Sequence, residues 1–157
     1  MKKFVFLLVL LLLVGCTARQ EPLESISEAI GVDVTGGEIL EAEDGHGGFH
    51  GDGETVVAVF VPGLELSADS RWHSLPLSEN LSAAVYGRQT DTESFGPLFP
   101  TEAIPAVEHG YWFFLDRHPE ATDPTDDTNL HSRSSWNFTA AIYDTDTGIL
   151  YYLELDT

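Results

Sequence analysis

Two imidazoles and three carboxylates fall within one glycine-rich stretch, Asp44-Gly45-His46-Gly47-Gly48-Phe49-His50-Gly51-Asp52-Gly53-Glu54. Histidine is a borderline metal ligand and carboxylate completes such a shell, so Asp44, His46, His50 and Asp52 are the candidate metal ligands of a small metal-assisted hydrolase. A His-x-x-x-His pair meets one metal when a helix carries both rings on one face. The surrounding glycines oppose a helix here. The preferred reading is a glycine-rich turn or hairpin arm in which Asp and His satisfy backbone groups. A phosphate cradle would need a following helix N-terminus or a Lys, and the stretch has neither.

Two further groups carry chemical side chains. Asp123, Asp126 and Asp127 cluster in Pro119 to Asn129, but their spacing matches no twelve-residue calcium loop and lacks its closing glutamate. A solvated acidic loop is the simpler account. Asp116, Arg117 and His118 are followed by His131, Ser132, Arg133, Ser134 and Ser135. A Ser/His/Asp set can be composed from these letters, yet no Gly-x-Ser-x-Gly elbow positions them. Polar strand ends with an Arg-carboxylate pair are expected instead. No catalytic residue is assigned, and no cofactor is called for.

These groups need a scaffold, and the pattern predicts an α+β domain. Leu23, Ile26 and Ile30 share one face of a helix over Pro22 to Ile30, with Pro22 in its first turn and Gly31 just past its end. From Gly36 onward the signal is β. Glu54 to Val61 and Tyr111 to Leu115 are short, β-branched or aromatic, and bounded by Gly or Pro. Trp136, Phe138, Ala140 and Ile142 alternate with Asn137, Thr139, Ala141 and Tyr143, and Ile149, Tyr151, Leu153 and Leu155 repeat the alternation after Asp144-Thr145-Asp146-Thr147-Gly148. That pair predicts a C-terminal hairpin. Glu38 to Ala42 is a weaker strand, Leu81 to Tyr86 a strand or a short helix, and Pro76, Pro97, Pro100 and Pro105 leave the middle mostly irregular. The sum is an N-terminal helix packed on a mainly antiparallel sheet of four or five strands.

Composition narrows the partners. The 157 residues carry 26 acids against 7 Lys and Arg, a formal charge of −19. Both lysines, Lys2 and Lys3, lie in the first three residues; beyond them only five arginines stand against the acids. Nucleic-acid binders need basic patches to displace counterions, so nucleic acid is excluded as a partner. At 43% apolar residues, with three Trp, nine Phe and five Tyr, the chain is too hydrophobic for an acidic disordered segment. A folded acidic monomer is expected.

Met1-Lys2-Lys3 followed by the apolar run Phe4 to Val14 has the form of an export signal. Eleven helical residues reach about 16 Å, against a hydrocarbon core of roughly 30 Å, so the run does not span a membrane. Its ending, Leu13-Val14-Gly15-Cys16, resembles the lipobox of bacterial lipoproteins. That resemblance implies cleavage after Gly15 and lipidation of Cys16, with a signal peptide over 1–15, a lipidated tether over 16–21 and one domain over 22–157. Two or three acyl chains hold a protein stably where one does not. Lipidation also consumes the only cysteine, leaving neither disulfide nor thiol nucleophile.

Asp44 to Glu54, Trp72 with Leu75-Pro76-Leu77, Tyr111 to His118, and Asn137-Phe138-Thr139 through Tyr143 to Thr147 together resemble small uncharacterised bacterial lipoproteins of about this length. The resemblance implies the anchor and a single domain, and it brings no activity. Ala140 to Leu150 is similar to the Asp-x-Asp-x-Thr loop of haloacid-dehalogenase phosphatases. That loop belongs after the first strand of a parallel sheet with a Lys downstream, whereas nine residues follow Gly148 here and none is Lys. A hairpin turn is expected there. The expectation as a whole is an extracytoplasmic protein held at the bacterial membrane by lipid, binding an unknown protein or small molecule without catalysis, an inhibitor or immunity-type protein being one form of it.

Overall fold

The computed structural model describes residues 20–47, 51–100 and 102–157. Cys16 with its lipobox, and His50, lie outside the described residues. No described helix is long and apolar enough to cross a membrane. The chain divides into two compact units, Met1–Gly37 and Glu38–Thr157.

In the first unit, helix α1 spans Gln20–Ile30. Its apolar stripe, Leu23, Ile26 and Ile30, is buried, in keeping with the i, i+3, i+7 spacing. Gly31 ends it with φ +68°, a left-handed conformation that glycine adopts without steric cost, and its N–H bonds the Ser27 carbonyl at 2.8 Å. Ser27 Oγ then accepts the N–H of Val34 at 3.0 Å and folds the following turn back on the helix.

The second unit is built on a six-stranded, wholly antiparallel sheet. Its strands are β1 (Glu38–Asp44), β2 (Gly53–Phe60), β3 (Trp72–Ser74), β6 (Gly110–Asp116), β7 (Asn137–Asp144) and β8 (Ile149–Asp156), in the order β1-β2-β8-β7-β6-β3. A separate pair, β4 (Arg88–Gln89) with β5 (Ser94–Phe95), and helix α2 (Glu79–Tyr86) complete it. The architecture is α+β with an antiparallel sheet, and it has six strands where four or five were expected. The difference arises at the edges: Glu38 to Ala42 does pair, and the three residues of β3 are too few to leave a periodic signal.

The hairpin β7–β8 forms in the register Asn137↔Asp156 to Asp144↔Ile149. Asp144 closes it by accepting the N–H of Asp146 at 2.8 Å and the hydroxyl of Thr147 at 2.8 Å, the hairpin turn expected in place of a phosphatase loop. β8 then pairs on its other edge with β2, from Gly53↔Asp156 to Phe60↔Ile149.

One face of the sheet gathers the apolar core. Phe138, Ala140 and Ile142 of β7 and Leu153 of β8 are fully buried there with Leu81 and Ala84 of α2. On the opposite face Thr139, Ala141, Tyr143, Leu150 and Tyr152 are buried as well. The segment after β2 accounts for part of this. Tyr143 Oη accepts the N–H of Gly63 at 3.0 Å and donates to the Val61 carbonyl at 3.3 Å, which holds that segment over β7.

Leu81 to Tyr86 is helical because Ser78 caps it: its Oγ accepts the Leu81 N–H at 3.0 Å, satisfying an otherwise orphan donor. The same cap reaches the long loop between β6 and β7. Ser78 Oγ donates to the Asp127 carboxylate, and Asn80 Nδ2 donates to the Asp127 carbonyl at 3.2 Å.

Candidate functional site

The glycine-rich stretch is the turn end of the β1–β2 hairpin. Its arms meet at Asp44↔Thr55, and the N–H of Gly45 bonds the Glu54 carbonyl at 2.7 Å. The approach is close: a Cβ on Gly53 would lie 2.6 Å from the His46 backbone, so only glycine fits.

Of the four sequence-derived ligands, Asp44 and His46 come together. Asp44 Oδ1 accepts the His46 backbone N–H at 3.0 Å and lies 2.8 Å from Nδ1. Asp52 is exposed just before β2. The other ring nitrogen of His46 turns away from both, to Asp156 Oδ2 at 3.4 Å. The two carboxylates therefore flank opposite edges of one imidazole. Among the described residues no group of three or more His, Cys, Asp or Glu side chains has a metal-holding arrangement.

Asp156 is itself engaged. Arg117 bridges it at 2.9 Å and Glu154 at 3.0 Å, and donates to Thr139 Oγ1 at 3.0 Å. Tyr152 Oη donates to Glu154 at 2.9 Å. The result is a chain of paired groups from β1 to β7. The hydrogen bond that its ring donates to Asp44 raises the His46 pKa above its ordinary 6.5, against some desolvation and with help from Asp156. Bonds from the His46 backbone and ring hold Asp44 below its ordinary 3.8. Burial pushes the Tyr152 phenol up, reinforced by the charge of Glu154. Thr55, Arg117 and Asp156, which complete the surroundings of His46, have no spacing signal in the sequence.

The second constellation lies in the β6–β7 loop. His118 Nε2 stands 3.2 Å from Ser135 Oγ, the distance expected of a base and its nucleophile. The other ring nitrogen decides the chemistry. His118 Nδ1 accepts the backbone N–H of Glu120 at 3.2 Å, so the neutral ring carries its proton on Nε2 and donates to the serine. A base toward Ser135 needs the opposite tautomer, with Nδ1–H directed to a carboxylate. Asp116, the carboxylate at hand, is bonded to the His118 N–H at 2.9 Å and to Arg133 Nη1. The letters of a triad are present and its geometry is not.

Around these residues the loop shapes an open cavity of about 470 Å³ whose wall carries His118, Asn129, Arg133 and the serines at 132, 134 and 135. The cavity is held from outside. The Trp136 indole donates to the Leu130 carbonyl at 2.7 Å, His131 Nε2 faces the Asn80 carbonyl at 3.1 Å, and its ring stacks on Phe95 at 4.0 Å. At its base, the Arg133 and Asp116 side chains are only 12% and 5% exposed. The three loop aspartates do not converge: Asp123 accepts from Thr125 at 2.9 Å, Asp126 from Thr128 at 2.9 Å, and Asp127 from Ser78. No family model, no curated protein and no solved structure matches the chain.

Proposed function

We propose that this protein is an extracytoplasmic lipoprotein, held at a bacterial membrane through acylated Cys16, whose single acidic domain over residues 22–157 binds a ligand without catalysing a reaction. The polar cavity of the β6–β7 loop is the observation that carries the binding reading. It is preformed, braced by α2 and β5, and lined by groups that hydrogen-bond, while its one His–Ser pair has the tautomer of a donor and not of a base. Preformed concave sites with convergent polar groups are where small molecules bind. The anchor rests on the charged start, the apolar run and Leu13-Val14-Gly15-Cys16. The monomeric state and the absence of nucleic-acid partners belong to the same proposal, supported by a formal charge of −19.

Expression in a bacterium with an alkyne-bearing fatty acid tests the anchor. The wild-type chain becomes labelled and sediments with membranes, and Cys16→Ser abolishes the label and leaves precursor or released protein. Equal labelling of the variant refutes the lipoprotein reading.

A further inference from the structure

We infer that the cavity of the β6–β7 loop is a site for a polyhydroxylated monocarboxylate of the uronic-acid type, with Arg133 as the carboxylate clamp. The inference rests on the binding reading above and adds the ligand's chemistry.

Arg133 provides the first argument. A guanidinium has five N–H donors in a planar fork that matches carboxylates two bonds at a time. Elsewhere in this molecule Arg117 holds two carboxylates at once, Glu154 at 3.0 Å and Asp156 at 2.9 Å. Arg133 has one, Asp116, and among the described residues no other partner for its remaining N–H groups. A group that is 88% withdrawn from water, yet lines a cavity with donors to spare, is arranged to receive an acceptor from the cavity side.

The hydroxyl lining provides the second. Ser135 Oγ accepts from His118 Nε2 at 3.2 Å, which leaves its O–H as a donor. Ser132 Oγ donates to the Asn129 carbonyl at 3.0 Å, which leaves its lone pairs as acceptors. The Asn129 side chain offers both kinds and has no partner of its own among the described residues. The wall thus offers both donors and acceptors, as the hydroxyls of a sugar require. A cavity of about 470 Å³ has room for one or two such rings.

Charge sets the upper limit. Glu120 also lines the cavity, and the chain carries −19 overall. With Arg133 already paired to Asp116, a ligand carboxylate is held by the N–H bonds of the fork and not by net charge, and a phosphate dianion beside Glu120 is repelled more strongly than a monocarboxylate. Among the described residues no Trp, Tyr or Phe side chain lines the cavity, so the apolar face of a sugar gains little there. Affinity is accordingly in the millimolar range, with Kd about 1 mM.

The full-length chain in detergent micelles is titrated with methyl glucuronide, methyl glucoside and glucose 6-phosphate, with binding read by saturation-transfer NMR. Methyl glucuronide binds saturably and more tightly than the other two. Arg133→Lys keeps a cation for Asp116 but loses the fork, and weakens binding by about tenfold or more; Asn129→Ala weakens it by about threefold to tenfold. Thermal unfolding of both variants is followed alongside to confirm that they fold. The inference is overturned by absence of saturable transfer from methyl glucuronide, by equal binding of methyl glucoside, by tighter binding of glucose 6-phosphate, or by folded variants that bind like the wild type. Release of methanol from bound methyl glucuronide would support the site and overturn the non-catalytic reading, so the two failures are told apart.

Discussion

His46 Nε2 lies 3.4 Å from Asp156 Oδ2, a contact between residues 110 positions apart in the chain. It ties the turn of the β1–β2 hairpin to the far end of β8, and it shares Asp156 with Arg117. The imidazole acts as a strut between two strands.

A strut of this kind is pH-dependent in both directions. Because the folded state raises the His46 pKa above 6.5, the stability it lends is complete below that value and is lost as pH rises through the raised one. Asp44 is held below 3.8, so its share is present above that value and is lost as pH falls through the lowered one. Both act together from about pH 4 to about pH 6.5. The difference in melting temperature between wild type and His46→Ala is therefore largest in that window and shrinks above it. A proton NMR titration of His46 has its midpoint above 6.5; a midpoint at or below it would mean that these contacts are absent in solution.

Zinc should not replace the strut. Calorimetric titration with Zn²⁺, Mn²⁺ and Ca²⁺ is expected to give no tight stoichiometric binding that depends on His46 and His50, and His46→Ala with His50→Ala costs less than about 1.5 kcal/mol. Micromolar binding that vanishes in the double variant would place the metal-assisted hydrolase first.

Removing Arg117 uncouples more than one pair. Its side chain is 32% exposed, and it separates the charges of Glu154 and Asp156 while donating to the Phe138 and Leu155 carbonyls. Arg117→Met leaves two carboxylates side by side and costs about 2 kcal/mol by urea unfolding at neutral pH. An unchanged unfolding midpoint at pH 7 would show the network to be energetically idle.

Gly53→Ala tests the close approach beneath His46. The added methyl would meet backbone 2.6 Å away, and backbone cannot rotate aside, so the hairpin arms separate at a cost of about 1–3 kcal/mol. The His46 titration midpoint then falls back toward 6.5. A variant as stable as wild type, with the midpoint unmoved, refutes this geometry.

What could be read from the sequence was local. Asp44 with His46, two residues apart, is a short-range pattern, and so is the Asp144 to Gly148 turn between two alternating runs. The apolar residues of Leu81 to Tyr86 suit either period, so the sequence alone allows a strand or a helix there; Ser78, whose hydroxyl caps the helix, is the sign that favours the helix. β3 was invisible at three residues. The decisive contacts were not local: Asp156 beside His46, Asp116 beneath Arg133, and Ser135 beside His118 Nε2. Spacing says which letters are near in the chain, whereas these partners depend on where a long loop comes back.

The place of β8 between β2 and β7 has a consequence for biosynthesis. β2 finds its inner neighbour only after about a hundred further residues have emerged from the ribosome, since long-range strand pairing must wait for its partner. Until then Val56 to Val59 has only the acidic, solvent-facing β1 beside it, and two strands alone are marginal. A nascent chain of this topology stays loose through most of translation. The sheet closes only once β8 has emerged and can insert between β2 and β7.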